Sequence, residues 1–122
     1  MAWKFRSGLA LSTQIVDRIR SDILKGIYSG TEQFPTVRQL AYDAGVNPNT
    51  MQKALSLLEK EGLLLTNSTV GRTVTSDEAV LSEARRKALD SFTANIVREA
   101  KNMSLDMSDL IKNIEKGWDK DE

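Results

Sequence analysis

The side chains best suited to chemistry in this chain lie in one run, Asn47-Pro48-Asn49-Thr50-Met51-Gln52-Lys53-Ala54-Leu55-Ser56. The carboxamides of Asn47, Asn49 and Gln52 each set a donor beside an acceptor, which matches the edge that adenine presents in the major groove. The methyl of Thr50 suits the methyl of thymine, and Lys53 can reach a phosphate or a guanine. A polar, weakly charged face of this kind is what base reading in A/T-containing sites requires. On an arbitrary helix the same residues would only form its solvated side, so the reading rests on the elements that position them.

Other chemistries are poorly served. The chain has no cysteine and no histidine, which removes thiolate nucleophiles, disulfides, imidazole bases and nearly every zinc or haem site. No glycine-rich phosphate loop is present. A carboxylate-only magnesium site or a Ser-Lys dyad would need a spacing that does not occur. The expectation is a protein that is not an enzyme, with no metal and no cofactor.

Three helices are predicted to hold the polar run. Ile15, Val16, Ile19, Ile23 and Leu24 recur at helical spacing, with Ser12 or Thr13 as the cap and Gly26 as the stop. A turn-rich connection, Ile27 to Phe34 with Gly30, follows. Thr36 and Gln39 form a capping box for a second, short helix whose apolar stripe is Val37, Leu40, Ala41 and Ala44. Gly45 ends it and Val46 is expected to be buried at the turn. Asn47 caps a third helix with Pro48 at its first position, and Met51, Ala54, Leu55 and Leu58 face inward as far as Gly62. Two short helices joined in this way make a helix-turn-helix, the second helix entering the major groove. Leu63 to Thr66 reads as a strand, Asn67 to Gly71 as a turn, and Arg72 to Thr75 as the returning strand. The ribbon is a wing.

The last part is helical. Asp77 and Glu78 favour a helix start, and Val80, Ala84, Ala88, Phe92, Ile96, Ala100 and Met103 step by nearly four, flanked by Leu81, Leu89 and Val97. The helix should break near Asn102 to Ser104. Asp106 and Asp109 resemble a further cap, with Leu105 and Leu110 as a staple. Leu110, Ile111, Ile114 and Trp118 complete a short final helix before a solvated tail, Asp119 to Glu122. A two-helix appendage cannot bury so wide an apolar face alone. Packing against a second copy would remove it from water, at about 25 cal/mol per Å²; folding back on the winged part is the competing arrangement. Two-fold symmetry would also suit an inverted-repeat operator.

At 122 residues and zero net charge, the chain is one compact domain with a short appendage. The charge is unevenly placed. Residues 1–76 carry nine Lys and Arg against six Asp and Glu, and the remainder eight against eleven. A basic front suits phosphate, and an acidic back faces something else. No apolar run approaches a membrane span, and the first residues lack a signal peptide's apolar core, so a cytoplasmic location without membrane association is expected.

Several spaced signatures in order resemble the DNA-binding domain of the GntR family of bacterial repressors. They are Gln14 to Arg20, Ile23 to Gly26, Phe34 to Ala41, Gly45 to Leu55 and Leu58 to Leu63, and the resemblance covers Leu11 to Thr75. The short two-helix tail resembles the YtrA-like subfamily, whose members lack a large effector domain and dimerise through this tail. The resemblance implies that Arg38 touches DNA, with Thr36, Asn49, Thr50 and Gly71 near the backbone or bases. It also implies inverted-repeat operators, often in transporter operons. Where the family commonly carries a basic residue this chain has Pro48 or Gln52. Where the wing usually reads Arg-Gly-x-Gly-Thr, it has Ser68-Thr69-Val70-Gly71-Arg72, which leaves Arg72 as a partial substitute for the family arginine.

The expected architecture is mainly α with a small β-wing: a winged helix-turn-helix domain, residues 1–75, followed by a two-helix dimerisation tail, residues 76–122. DNA contacts are assigned to Thr36, Arg38, Asn47, Asn49, Thr50, Gln52, Lys53, Gly71 and Arg72. Dimerisation is assigned to Leu81, Ala88, Leu89, Phe92, Ile96, Leu110 and Ile114. The expected partners are double-stranded operator DNA and a second copy of the chain. A small-molecule effector would sit at the dimer seam or between wing and tail, near Trp3, Tyr28, Tyr42 or Trp118, although core or interface packing is the favoured role of each aromatic. A winged-helix docking module that makes no DNA contact is the alternative function.

Overall fold

The computed structural model describes residues 2–28 and 33–120. Helices α1 (Leu11–Leu24), α2 (Val37–Ala44) and α3 (Pro48–Lys60) precede strands β1 (Leu64–Asn67) and β2 (Gly71–Val74), and α4 (Glu78–Asn102) and α5 (Met107–Trp118) follow. The mainly helical class with a two-stranded wing is as the sequence implies. Two compact units result, residues 1–84 and 85–122.

The core of the first unit is built from the predicted stripes. Ile15, Ile19 and Ile23 of α1, Leu40, Ala41 and Ala44 of α2, and Met51, Ala54, Leu55 and Leu58 of α3 are buried together with Phe34, Leu63, Leu64 and Val74. Helix α3 packs against both α1 and α2, which fixes its apolar side inward and leaves the opposite side free. This unit continues past the wing to Ala84, because Val80, Leu81 and Ala84 in the first turns of α4 pack on the same core. Leu81, assigned to dimerisation from the sequence, is therefore half covered within its own unit.

Local chemistry explains the helix ends. Thr36 Oγ1 accepts the Gln39 amide N–H at 3.1 Å while Gln39 Oε1 accepts from the Thr36 amide at 3.1 Å, completing the capping box. Asn47 Oδ1 accepts from the Asn49 amide at 2.7 Å. Asp77 accepts from the Ala79 amide at 2.9 Å, and Asp106 from the Asp109 amide at 3.1 Å. Each of α1, α2, α3 and α4 closes with the same paired carbonyl capture. The amides of Ile27, Val46, Leu63 and Leu105 reach back five residues, to Asp22, Ala41, Leu58 and Ala100. Glycine occupies the left-handed position in the first three; in α4 it is Ser104, with φ of 57°.

Some expectations need correction. Helix α1 begins at Leu11, two residues earlier than a Ser12 cap allows and three earlier than a Thr13 cap, with Ala10 at the cap position and no side-chain bond there. The start is organised instead by Gln14, whose amide group bonds the Arg6 N–H at 2.7 Å and the Arg6 carbonyl at 2.9 Å. Val46 is half-buried rather than buried, and it still packs on the core. The strands sit one residue off the expected positions, with Asn67 opposite Gly71 and Leu64 opposite Val74. Leu63 precedes the ribbon because its amide closes α3 and its carbonyl accepts from the Thr75 amide. Gln33 makes a bridge to Thr73, and the Phe34 amide donates to the Arg72 carbonyl at 2.8 Å, so the wing has a short third edge. The rest of the predicted connection, with Gly30, and the last two residues of the solvated tail lie outside the described residues.

Candidate nucleic-acid interface

The exposed side of α3 begins at a cap. Asn47 spends its side-chain oxygen on the Asn49 amide, so its free capacity is the NH₂ group. Asn47, Asn49, Gln52 and Lys53 are exposed, while Thr50 and Ser56 are half-buried at the margins of the same side. Gln52 Nε2 donates to Ser56 Oγ at 3.2 Å, one helical turn on. That bond orients the Gln52 carboxamide along the helix and is readily exchanged for a base edge. Lys53 makes no ion pair with any described residue.

Helix α2 supplies the second set. Thr36 and Arg38 are exposed at its N-terminus. The capping box uses the Thr36 hydroxyl and the Gln39 amide group, but Arg38 has no acidic partner among the described residues. An exposed guanidinium there lies beside the positive end of a helix, whose field favours an anion nearby. The turn that sets α2 against α3 passes through Gly45, with φ of 74°. A shallow groove beside this end is lined by Gln33, Phe34, Pro35, Thr36, Gln39 and Asp43.

The wing differs in character from the helices. Ser68, Thr69 and Val70 form its tip, and Asn67 Oδ1 accepts the amides of Thr69 at 2.8 Å and Val70 at 3.1 Å, which fixes the tip's shape. Gly71 is exposed and left-handed, with φ of 94°. Arg72 is turned toward α3: its Nε lies 3.3 Å from Glu59 Oε2 and its Nη2 3.4 Å from Glu59 Oε1. Thr66 Oγ1 donates to the same carboxylate. The Thr66 hydroxyl and then the Arg72 guanidinium hold the Glu59 carboxyl below its ordinary range, against the opposing effect of burial. The structure thus brings Thr36, Arg38, Asn47, Asn49, Thr50, Gln52 and Lys53 onto two adjoining helices, and places Gly71 and Arg72 on the wing with only the first exposed.

Two supports of this arrangement were not read from the sequence. The N-terminal segment lies against the helix-turn-helix: the Trp3 amide donates to the Ala44 carbonyl at 3.3 Å, and the Arg18 guanidinium stacks on the indole, 4.3 Å from its centre. At the far end of α3, Glu61 receives Arg20 in a two-point contact, Nε at 3.0 Å and Nη2 at 2.5 Å, tying α1 to the third helix. Both are long-range pairings between exposed-type residues, and no local pattern announces them. Of the four aromatics expected to pack, Trp3 and Tyr28 do; the Tyr28 ring stands 4.7 Å from that of Phe34. Tyr42 is 84% exposed and Trp118 76%, so neither contributes to a core of the described residues.

Comparison with known proteins places this geometry. The model for "Bacterial regulatory proteins, gntR family" matches residues 11–74. The chain is 39% identical to the HTH-type transcriptional repressor YtrA of Bacillus subtilis over 61 residues, which is 50% of this chain and 47% of that protein. The structure of a GntR family transcriptional regulator from Listeria monocytogenes is 26% identical with a TM-score of 0.82, covering 92% of this chain and 98% of that one. The structure of AraR(DBD) in complex with operator ORX1 is 27% identical with a TM-score of 0.52, covering 59% of this chain and 93% of that one. The Bacillus subtilis and Listeria monocytogenes relatives are named as transcriptional regulators and not as enzymes. The matched segment spans all three helices and the wing, and the chain belongs to the gntR family of bacterial regulatory proteins.

Proposed function

We propose that the chain is a sequence-specific DNA-binding repressor that acts as a homodimer on an inverted-repeat operator. The observation that carries this reading is the exposed polar side of α3, offered by a capped helix-turn-helix with Arg38 exposed at its edge. In this assignment Asn49, Thr50 and Gln52 face base edges, and Lys53, Arg38 and Thr36 face phosphates, with the wing tip at Gly71 against the backbone. AraR(DBD), a similar domain, is seen with its operator, and YtrA of Bacillus subtilis is named a repressor; both support the reading by similarity. Resemblance to the YtrA-like subfamily makes a transporter operon the proposed target.

The second unit supports the dimer. Among its residues Leu89, Phe92, Val97, Met103, Met107, Ile111, Ile114 and Trp118 are all exposed, and none of α4 or α5 is buried. Ala88, Leu89, Phe92, Ile96, Leu110 and Ile114 would form the seam. An apolar surface of this extent on a short helical unit is the mark of an association site, and a two-fold axis would place the two α3 helices about 34 Å apart, or a multiple of it. An effector is not required by this proposal; the open groove at the start of α2 already spends the side chains of Thr36 and Gln39 on the capping box.

Fluorescence anisotropy of the purified chain with its own upstream DNA, at two salt concentrations, tests the proposal. Tight binding that weakens steeply with salt is expected. Arg38→Ala should weaken binding to all sequences and flatten the salt slope by about 0.9, the value for one phosphate contact. Gln52→Ala should instead relax base preference at one position of each half-site, a discrimination of about 1–3 kcal/mol. Binding no tighter than to random DNA, with no salt dependence, would overturn the reading in favour of a winged-helix docking module.

A further inference from the structure

The wing's arginine is turned back onto α3. Arg72 follows the tip directly on β2 and pairs with Thr66 across the ribbon, so both side chains leave the same face of the wing. That face looks onto the last turn of α3, where Glu59 receives them both. One carboxylate therefore joins three elements: α3, β1 and β2. The Arg72 side chain is 18% exposed, and its Nε is buried without an aligned hydrogen bond, held by charge at 3.3 Å from Oε2. Withdrawing the guanidinium toward a phosphate would leave the Glu59 carboxylate uncompensated beside a polyanion, an arrangement penalised twice, by lost pairing and by like charge.

We propose that Arg72 is a strut and not a DNA contact: the Glu59–Arg72 pair, with Thr66, sets the position of the wing relative to α3, and the wing meets the backbone through its neutral tip, Ser68 to Gly71. The proposal deepens the DNA-binding reading and rests on it for its consequence. The tip is suited to this use. Asn67 holds the amides of Thr69 and Val70, so its shape is set before any partner arrives, and Ser68, Thr69 and Gly71 are exposed. Two hydroxyls and a bare backbone can accept or donate to phosphate oxygens without adding charge. A wing of this kind contributes shape and placement, while the charged contacts stay with Arg38 and Lys53. Glu59 and Arg72 are positioning residues in this scheme.

Two measurements on the full chain test it, with Arg72→Ala, Glu59→Gln and the exchanged pair Glu59→Arg with Arg72→Glu. Amide hydrogen exchange of the free protein reads the strut with no DNA present. Amides from Leu65 to Val74 should exchange several-fold faster in Arg72→Ala and Glu59→Gln alike, with α1 unchanged, and the exchanged pair should recover most of the protection. Unaltered exchange in the wing would overturn the strut. Operator titration across a range of salt reads the consequence. Both single variants should bind about 3- to 10-fold more weakly with the same slope of log K against log salt, whereas loss of a phosphate contact would flatten it by about 0.9. Glu59→Gln is the sharper arm, since removing an acidic charge near DNA would by itself tighten binding. A flattened slope in Arg72→Ala, or tighter binding by Glu59→Gln, would make Arg72 a direct contact and sink the proposal. Should the wild-type chain bind no DNA specifically, the interface reading fails by itself while the exchange experiment still decides the strut.

Discussion

Gly45 shows how much of the site depends on one backbone position. Its φ of 74° lies in the left-handed region, and a Cβ built there would come 2.8 Å from the Cβ of Ala2. The turn between the two helices is thus constrained from both sides, by its own conformation and by the N-terminal segment lying on it. Gly45→Ala should lower the unfolding free energy by at least about 1–2 kcal/mol, the cost of the left-handed conformation for an L-residue, as read by urea denaturation. Removing residues 1–3 in the same variant should recover only the steric part of the loss; full recovery would mean that backbone strain contributes nothing. The glycine and its role were legible in the sequence, because Ala44-Gly45-Val46-Asn47-Pro48 carries a stop and a start in succession. Ala2, Trp3 and Arg18 were not. Their pairing depends on where the segment before α1 lies in space, and neither periodicity nor cap chemistry encodes that. Arg72 was legible as a basic residue near the wing but not as the partner of Glu59, thirteen residues earlier, because the ribbon's register decides which way it points.

At the scale of elements, helix ends were read well wherever one side chain bonds to a backbone group two or three residues away. The Thr36–Gln39 box and the caps at Asn47 and Asp106 are of this kind. The start of α1 was misread because its organiser, Gln14, reaches outward to Arg6 and not to the helix's own first turn. Strand ends were displaced by one residue because the Leu63 amide belongs to the closure of α3. The tie between α3 and the wing has a pH dependence that follows from Glu59. Its carboxyl is held below the ordinary range by Thr66 and Arg72, so the folded state binds that proton less readily than the unfolded chain does. The stabilisation is complete above the unfolded value of about 4.3 and is lost as pH falls through the lower folded value. Unfolding of the wild type and of Glu59→Gln should therefore differ at pH 7 and at pH 5, and the difference should begin to narrow only below about pH 4.3 and go on narrowing as the pH falls further. A difference that persists unchanged at pH 3 would show that ionised Glu59 does not carry it.

The largest scale is set by what the chain leaves uncovered. The first unit has a closed core of residues from three helices and the wing. The second unit, residues 85–122, has no buried residue among those described, and Phe92 is 64% exposed. Such a unit has little to stabilise it as a monomer, because helix stability in proteins comes chiefly from packing of an apolar face. Its sequence is nevertheless strongly helical in pattern, with a capped start at Asp106 and a formed stop at Ser104. The pattern was legible; the occupant of the face was not, because periodicity along one chain shows that a face is apolar and not what covers it. If a second copy covers the face, folding of the tail and association are one event, and its melting must depend on protein concentration. Phe92→Asp should then dissociate the dimer, since a carboxylate buried in an apolar seam costs several kcal/mol. Operator affinity should fall with it, because two half-sites would no longer be held by one particle. Sedimentation and anisotropy on the same samples check both. A monomeric Phe92→Asp variant that binds the operator as tightly as the wild type would separate the tail from DNA recognition, and would leave the tail's apolar face to some other partner.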